Sequence, residues 1–483
     1  YEAFKFITYK VDQIKGDEAV KREKLESTSC LLEALIPHRA AIEMIGREYQ
    51  NFTRSDKMLL NPMLSSFFFR RMVTKRLKKN DITLKHRIRL FVTKNPIIDG
   101  WYQKYHERMK YKVHENDEKI ELHPQVELKK LGSDHTCFFG YYDKSAVRNN
   151  HVLYHEVQSD SLDICQEVLI KVDDTVIGST KSWNWQQGAM ASWLNDDEII
   201  FNVYQQGYKA KIVNIHTKEE RLICAPVYSV SKDGTFALSL NFSRLAKLRP
   251  DYGYFNESTD ELMKCDENDG LFMINLTENT CSLLVSLKTI SEFCPKETMQ
   301  NAWHKVNHAD LAPDSSKAVF LHRWYQNEVK YTRLMCIDLR TNELSVLADY
   351  DMVSHMGWID SEHLVGYLRG KDGKDGFYYV DLDGSMRLIP LDELKDDGHP
   401  TVHGKYMVCD SYPDHTCKSK LYLVNLENQK IITLGKFHSY YQYQGTVRCD
   451  LHPRFNADGT SVTFDSVCDG KRNIYLLDFN KLV

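Results

Sequence analysis

From about residue 130 to the end of the chain, apolar and polar positions alternate in short runs. A period of two belongs to half-buried β-strands. The stretch "WLNDDEIIFNVYQQGYKAKIVNIHTKEERLI" holds three such runs separated by short turns. "SKDGTFALSLNF", "APDSSKAVFLHRW", "IDSEHLVGYLRG" and "NADGTSVTFDSV" are variants of one unit, a turn followed by an apolar strand. Asp458 and Gly459 form one of these turns. Later in each unit a strand ends in a short acidic turn, as in "LFMINLTENT", "LMCIDLRTNE", "FYYVDLDGSM", "LYLVNLENQK" and "IYLLDFN".

The unit returns every roughly 40–50 residues, the period of a four-stranded propeller blade. Seven blades are expected, beginning near Phe138, Gly188, Ala225, Asn307, Ser354, Gly398 and Asp450. An insertion around "RLAKLRPDYGYFNESTDELMKCDEND" lengthens the third. A β-sandwich pair or a β-helix is the alternative, and the long four-strand period argues against both.

Residues 1–128 read differently. "DEAVKREKLESTSCLLEALIPHRAAIEMIGREYQ" carries apolar positions at three- and four-residue spacing, which predicts helix. Further on, Phe67, Phe68 and Phe69 run straight into Arg70, Arg71, Lys75, Arg76, Lys78 and Lys79. A core-packed helix with a solvated basic face explains this stretch. The functional alternative is a peripheral membrane contact or an acidic protein partner for segment 67–90. The expected fold is therefore mainly β, a seven-bladed β-propeller over 129–483 preceded by an α-helical region over 1–128.

Composition narrows the classes. The formal net charge of −4 provides no global field for nucleic acid. No run of about eighteen uncharged apolar residues predicts a membrane-spanning helix. The first residues, "YEAFKFITYK", show no signal-peptide core. Twelve cysteines are scattered without a Cys-x-x-Cys pair, which argues against structural zinc and for free buried thiols in a reducing compartment. A cytoplasmic location is the expectation; a periplasmic or secreted one, with a leader removed, is the alternative. No Walker A loop, GxGxxG turn or GxSxG elbow is present, so no nucleotide or flavin cofactor is expected.

Candidate chemistry emerges when the blades are aligned on their first strands. The fourth opens "NHADLAPD", the fifth "SHMGWID", the sixth "GHPTVHG" and the seventh "LHPRFNADG". His308, His355, His399 and His452 each stand three residues before the apolar residue that precedes the turn. The first blade, "FFGYYDKSAVRNN", puts Tyr142 at about the same place. First strands line a propeller's channel, so equivalent positions form a ring at one depth. Converging imidazoles suit a divalent transition metal or proton transfer. A structural ring of hydrogen-bonded histidines is the plainer reading.

Other polar groups gather at the ends of the same strands: His135, Tyr141, Tyr142, Asp143 and Lys144 before blade one, His322, Arg323 and Trp324 in "FLHRWYQ", Arg448 and Arg454 around His452, and His415 in "SYPDHTC". Each alone reads equally well as a surface or strand-pairing residue. His322 and Arg323 are neighbours on a strand and face opposite sides, so only one can belong to the channel mouth.

At these residues the chain resembles the oligogalacturonate-lyase-like and TolB-like propellers. "NHADLAPDSSKAVFLHRW", "SHMGWIDSEHLVGY" and "DLHPRFNADGTSVTFDSVCDGKRNIYLLD" carry the likeness, over roughly 130–483. The resemblance implies a manganese-type ion held by histidines and a glutamine at the channel mouth. It also implies β-elimination of a uronate-containing polysaccharide or oligosaccharide. Carried over by motif, His308, His355, His399 and His452 are the metal candidates; Gln442 and Gln444 are the glutamine candidates.

β-Elimination needs the proton beside the uronate carboxylate to become more acidic, which a divalent ion or an arginine achieves by neutralising that carboxylate. Arg323 or Arg454 is then expected on the carboxylate, His135 or a ring histidine as base, and Tyr142 as acid, with Lys144 beside them. Tyr141, His322, Trp324, Arg448 and His415 are the expected sugar contacts. The competing readings are a non-catalytic propeller that binds a glycan or a protein partner, with the helical region as its docking module, and, more remotely, a peptidase-associated propeller.

Overall fold

The computed structural model describes residues 96–483 other than Asp160 and Cys165. These fall into two units divided between residues 113 and 114. Of the expected N-terminal helices, one is described, Pro96–Val113. Its proline stands at the first helical position, where the missing N–H costs nothing, and Lys110 and Lys112 occupy the last turn, where the helix dipole favours cations. The earlier helices and the basic segment 67–90 lie outside the described residues. Among the described residues no helix is long and apolar enough to cross a membrane.

Residues 114–483 form seven antiparallel sheets arranged as propeller blades. The blades span 136–180, 192–223, 229–286, 303–348, 353–388, 401–438 and 454–478. Every expected start lies within four residues of the observed first strand. First strands of neighbouring blades touch: Ser229–Val230 meets Trp303–Leu311, Val353–Trp358 meets Thr401–His403, and Thr401–His403 meets Arg454–Phe455. Apolar side chains pack between adjacent blades, as where Val319 and Leu334 of blade four meet Val353 and Leu364 of blade five.

The repeated acidic turns share one device. Asn275, Asp338, Asn425 and Asp478 each end a third strand, and each side-chain oxygen accepts the backbone N–H two residues on, at 2.9–3.0 Å. Such short polar side chains close turns by mimicking backbone.

The chain closes the ring on itself. Strand Glu127–Lys130 pairs with Asn473–Asp478 as the outer strand of blade seven, and Ile120–Leu122 adds a fifth strand to blade six. The expected border at 128 thus falls inside a propeller strand. These strands are too short and polar for their alternation to show in the sequence. Among the described cysteines, Cys137, Cys336, Cys409, Cys449 and Cys468 are free and buried.

The blade-three insertion folds between strands Phe236–Ser239 and Gly270–Asn275. Asn241 caps its helix Phe242–Leu248 by accepting the Arg244 N–H at 2.9 Å, and the buried Arg244 guanidinium ties the insertion to Asp269 at 2.6 Å. A 3-10 turn, Pro250–Tyr252, then delivers Arg249, Asp251 and Tyr252 to the centre of the propeller.

Candidate active site

The ordered strand geometry breaks where the aligned histidines stand. Pairing shifts between Asn307 and Asp310 in blade four, and between Val353 and His355 in blade five. His308 and His452 have φ of 50° and 47°, the left-handed region that side-chain-bearing residues seldom adopt. Such strain costs about 1–3 kcal/mol per residue and persists where the surroundings impose it, typically at functional sites. A bulge re-aims a side chain. Here the irregularities turn four imidazoles to one place.

Five rings form a closed circuit. Centroids lie 5.7 Å apart for His308 and His355, 4.1 Å for His355 and His399, 4.3 Å for His399 and His452, 4.9 Å for His452 and Tyr141, and 5.2 Å for Tyr141 and His308. All five side chains are buried. Tyr412 and Tyr252 stand against the circuit, 6.0 Å from His399 and 5.3 Å from His308.

Hydrogen bonds fix which nitrogen of each ring is free. His452 Nδ1 lies 2.8 Å from the Gly140 carbonyl, which can only accept, so Nδ1 carries the proton. His399 Nδ1 lies 2.9 Å from Asp410 and His355 Nδ1 3.0 Å from Asp397, with the same consequence. The Nε2 atoms of His399 and His452 are buried without a hydrogen-bond partner. Tyr141 Oη and His308 Nδ1 share a 2.8 Å hydrogen bond. The His308 backbone N–H donates to Tyr228 Oη at 3.1 Å, which also accepts from Gln187 at 2.8 Å.

Burial, and next Arg323 beside His308 and His399 beside His452, hold those two imidazoles well below the usual histidine range. Burial also lowers His355, against Asp397. At His399 burial opposes the charge, yet Asp410 outweighs it and raises the ring above the ordinary value. Burial pushes the Tyr141 hydroxyl well up, so it stays protonated.

His399, Asp450 and His452 each present one ligand atom, all within 4.8 Å of one another. Two orphaned imidazole nitrogens and a carboxylate fit a divalent transition metal, which would take the place of a proton on His399. The Asp410 bond to Nδ1 of His399 is the outer-shell contact that metal-binding histidines commonly have. Asp450 is absent from the sequence-based set; its signal was its place two residues before His452, on the same side of an extended chain.

Beside the circuit lie cations without counter-charge. Arg323 is 3% exposed, donates only to the Val353 and Ser354 carbonyls at 3.3 and 3.4 Å, and leaves its Nε unpartnered. Lys305, 0% exposed, leaves its ammonium unpartnered.

Several expected site residues stand elsewhere. His135 is exposed at the entry to strand Thr136–Phe138 and does not join the circuit. Tyr142 packs on the circuit, but its hydroxyl donates to the Met356 carbonyl at 3.0 Å and accepts the Met356 N–H at 3.3 Å, so it has no proton to give; Tyr141 holds that place. Arg454 is committed to Asp465 at 2.9 Å and the Gly140 carbonyl at 3.1 Å, buried.

Lys144 is paired with Asp143 at 2.7 Å and lies over the Tyr228 ring. His322 and Trp324 face away from Arg323, toward blade three: His322 bonds His304 at 2.9 Å and Arg333 at 3.1 Å, and Trp324 bonds Thr298 at 3.1 Å. Arg448 bridges Asp251 and Asp450. His415 is exposed in the turn after blade six's second strand, and from its stretch Tyr412 reaches the site instead. Gln442 is exposed and Gln444 caps a 3-10 turn. The glutamine tied to the circuit is Gln187.

No family model matches the chain, and no curated protein matches its sequence. Solved structures do. The oligogalacturonate lyase of Vibrio parahaemolyticus is similar at 15% identity with a TM-score of 0.51, over 74% of this chain and 96% of that one. The fold is theirs. An oligogalacturonate lyase in complex with manganese is similar at 17% identity and a TM-score of 0.54, again over 74% of this chain and 96% of that one. TolB from Acinetobacter baumannii follows at 11% identity and a TM-score of 0.36, over 65% of this chain and 76% of that one. The likeness to lyase-type propellers read from the blade motifs holds for the architecture.

Proposed function

We propose that this chain is a polysaccharide lyase that cleaves a uronate-containing glycan by β-elimination at the ring circuit. The observation that carries the reading is the circuit itself: four aimed imidazoles, two of them with orphaned Nε2 atoms, with Asp450 and Arg323 alongside. Buried unpaired donors and acceptors cost free energy until a ligand satisfies them, and imidazole nitrogens are the ones that a metal ion or a moving proton satisfies.

His399, Asp450 and His452, with His355 next to them, would hold a divalent metal ion. Bound there, it would withdraw charge from the substrate carboxylate and acidify the neighbouring C–H. Arg323 adds a second positive group for that carboxylate. His308, kept neutral, takes the proton from carbon as the C–H bond breaks. The electron pair forms the C=C bond and expels the glycosidic oxygen, which receives the Tyr141 hydroxyl proton. The bond between Tyr141 and His308 lets the abstracted proton restore the hydroxyl. The proton count closes within this one pair.

Incubating the protein with a panel of uronate polysaccharides, with and without chelator, tests the reading. The expected result is a chelator-sensitive rise in the ultraviolet absorbance of an unsaturated uronate. Binding without any unsaturated product, from folded protein, would make the propeller a glycan-binding module instead.

A further inference from the structure

Blade four carries a row of groups of which the elimination uses only Arg323. Strand pairing sets Lys305 directly opposite Arg323, Trp303 opposite Tyr325, and Tyr325 opposite Lys330. Alternation along each strand puts these five side chains on one sheet face. Like charges directly opposite one another weaken a sheet, and in this buried place burial, with Arg323 and Arg249 alongside, holds the Lys305 amine well below the usual lysine range. Neither has an ion-pair partner among the described residues, and Lys305 Nζ and Arg323 Nε have no hydrogen-bond partner. On the same face both side-chain polar atoms of the buried Asn307 are also unsatisfied.

The row has a direction. His308 marks the inner end. Along an extended strand Lys305 stands roughly 10 Å and Trp303 roughly 16 Å from it. At the outer end a groove of about 650 Å³ opens, lined by Trp303, Tyr325, Lys247 and Lys264. Lys247 lies 4.5 Å over the Trp303 ring. Tyr325 belongs both to the groove and to the cation row, with Lys305 5.8 Å from its ring centroid. One sugar seated at the circuit satisfies Arg323 and leaves the outer cations unmatched.

We propose that this face of blade four is a second substrate subsite, whose Lys305 and Lys330 receive an oxyanion carried by the sugar next to the reacting one. The proposal rests on the uronate reading above. A sulfate ester and a second uronate carboxylate share the needed chemistry, an oxyanion accepting charge-assisted hydrogen bonds. Trp303 and Tyr325 supply flat faces for that second ring. Such a site explains why the chain keeps a buried amine without a hydrogen-bond partner: burial, Arg323 and Arg249 hold Lys305 well below the usual lysine range, and the ligand brings the counter-charge that protonates it.

The test uses the full chain, its Lys305→Met and Lys330→Gln variants, and four probes: inorganic sulfate against chloride at equal ionic strength, a monomeric methyl uronate, an unsulfated uronate disaccharide and a sulfated one. Sulfate is expected to bind the wild type saturably, and about tenfold more weakly in each variant. Without ligand, Lys305→Met is expected to melt higher than wild type, since it removes an unsatisfied buried amine. Lys330 lies at the solvent edge, so its variant folds whatever Lys305→Met does.

A disaccharide is expected to exceed the methyl uronate in affinity by about tenfold, with the gain lost in both variants. A larger gain for the sulfated disaccharide identifies a sulfate ester; equal gains identify the carboxylate. Sulfate that binds no better than chloride, or binds equally to all three proteins, overturns the subsite. Specific sulfate binding together with no binding of any saccharide leaves the anion site standing and overturns the uronate reading.

Discussion

One oxygen of Asp410 accepts both the backbone N–H and the Nδ1–H of His399, at 2.8 and 2.9 Å, while its other oxygen accepts the backbone N–H of His452 at 3.0 Å. A single carboxylate thus sets the tautomer of one candidate ligand and the backbone position of the other. Asp410→Asn keeps the volume and loses an acceptor. It is expected to lower the affinity for manganese by about 10–100-fold. Titration of the two proteins with manganese, followed by the paramagnetic resonance of the free ion, measures this. Equal affinities would remove His399 from the metal set.

The two adjacent tyrosines separate chemistry from stability. Tyr141→Phe keeps the stack on His308 and loses only the hydroxyl that bonds it. Turnover of a uronate substrate is expected to fall by about 10²-fold or more, the typical contribution of a placed general acid. Tyr142→Phe strands the Met356 carbonyl and N–H instead. It is expected to destabilise by about 1–3 kcal/mol in urea unfolding while turnover per folded molecule stays near wild type.

Arg454 and Asp465 form a buried pair 2.9 Å apart that also receives the Phe139 and Gly140 N–H groups at 3.1 and 2.9 Å. Arg454→Met removes one partner of a desolvated pair, which costs about 3–5 kcal/mol. Urea unfolding is expected to show that loss, with KM for the uronate unchanged. A KM raised tenfold on folded protein would return Arg454 to the substrate.

Acid is expected to unfold the propeller through its neutral histidines. Burial brings His155 down to about 4 from 6.5; its Nε2 accepts the Ala189 N–H at 2.9 Å, and Gly188 packs on its ring. The unfolded chain binds the proton first. Stability is therefore full above about pH 6.5 and declines toward pH 4, by about 3 kcal/mol for this group. His155→Gln is expected to flatten the slope of stability against pH across that window by about one proton. A slope unchanged by the substitution would place the acid sensitivity elsewhere.

The blades were readable because the turns repeat as a ruler. The turn after each first strand recurs at one offset, and counting back from it located His308, His355, His399 and His452 although two of them lie outside regular strand. The ruler marks position along the strand and is blind to what closes a hydrogen bond across the ring. Arg454 and Arg323 look alike in sequence; Asp465, eleven residues on from Arg454, neutralises the one, and no described residue forms an ion pair with the other. Tyr141 and Tyr142 differ only in where the backbone turn aims them. Arg249 and Tyr252 arrive through an insertion, outside the repeat altogether. The outer strands 120–122 and 127–130 acquire their identity from partners more than three hundred residues away.

That last pairing has a temporal consequence. During synthesis blades one to five can be laid down in order, but blade seven lacks its outer strand until Asn473–Asp478 emerges to meet Glu127–Lys130. Asp450 and His452 come from this final blade, whereas Tyr141 and Gly140, which they must meet, were made long before. The ring circuit is thus a seam, and a nascent chain cannot close it until the last blade has met the first.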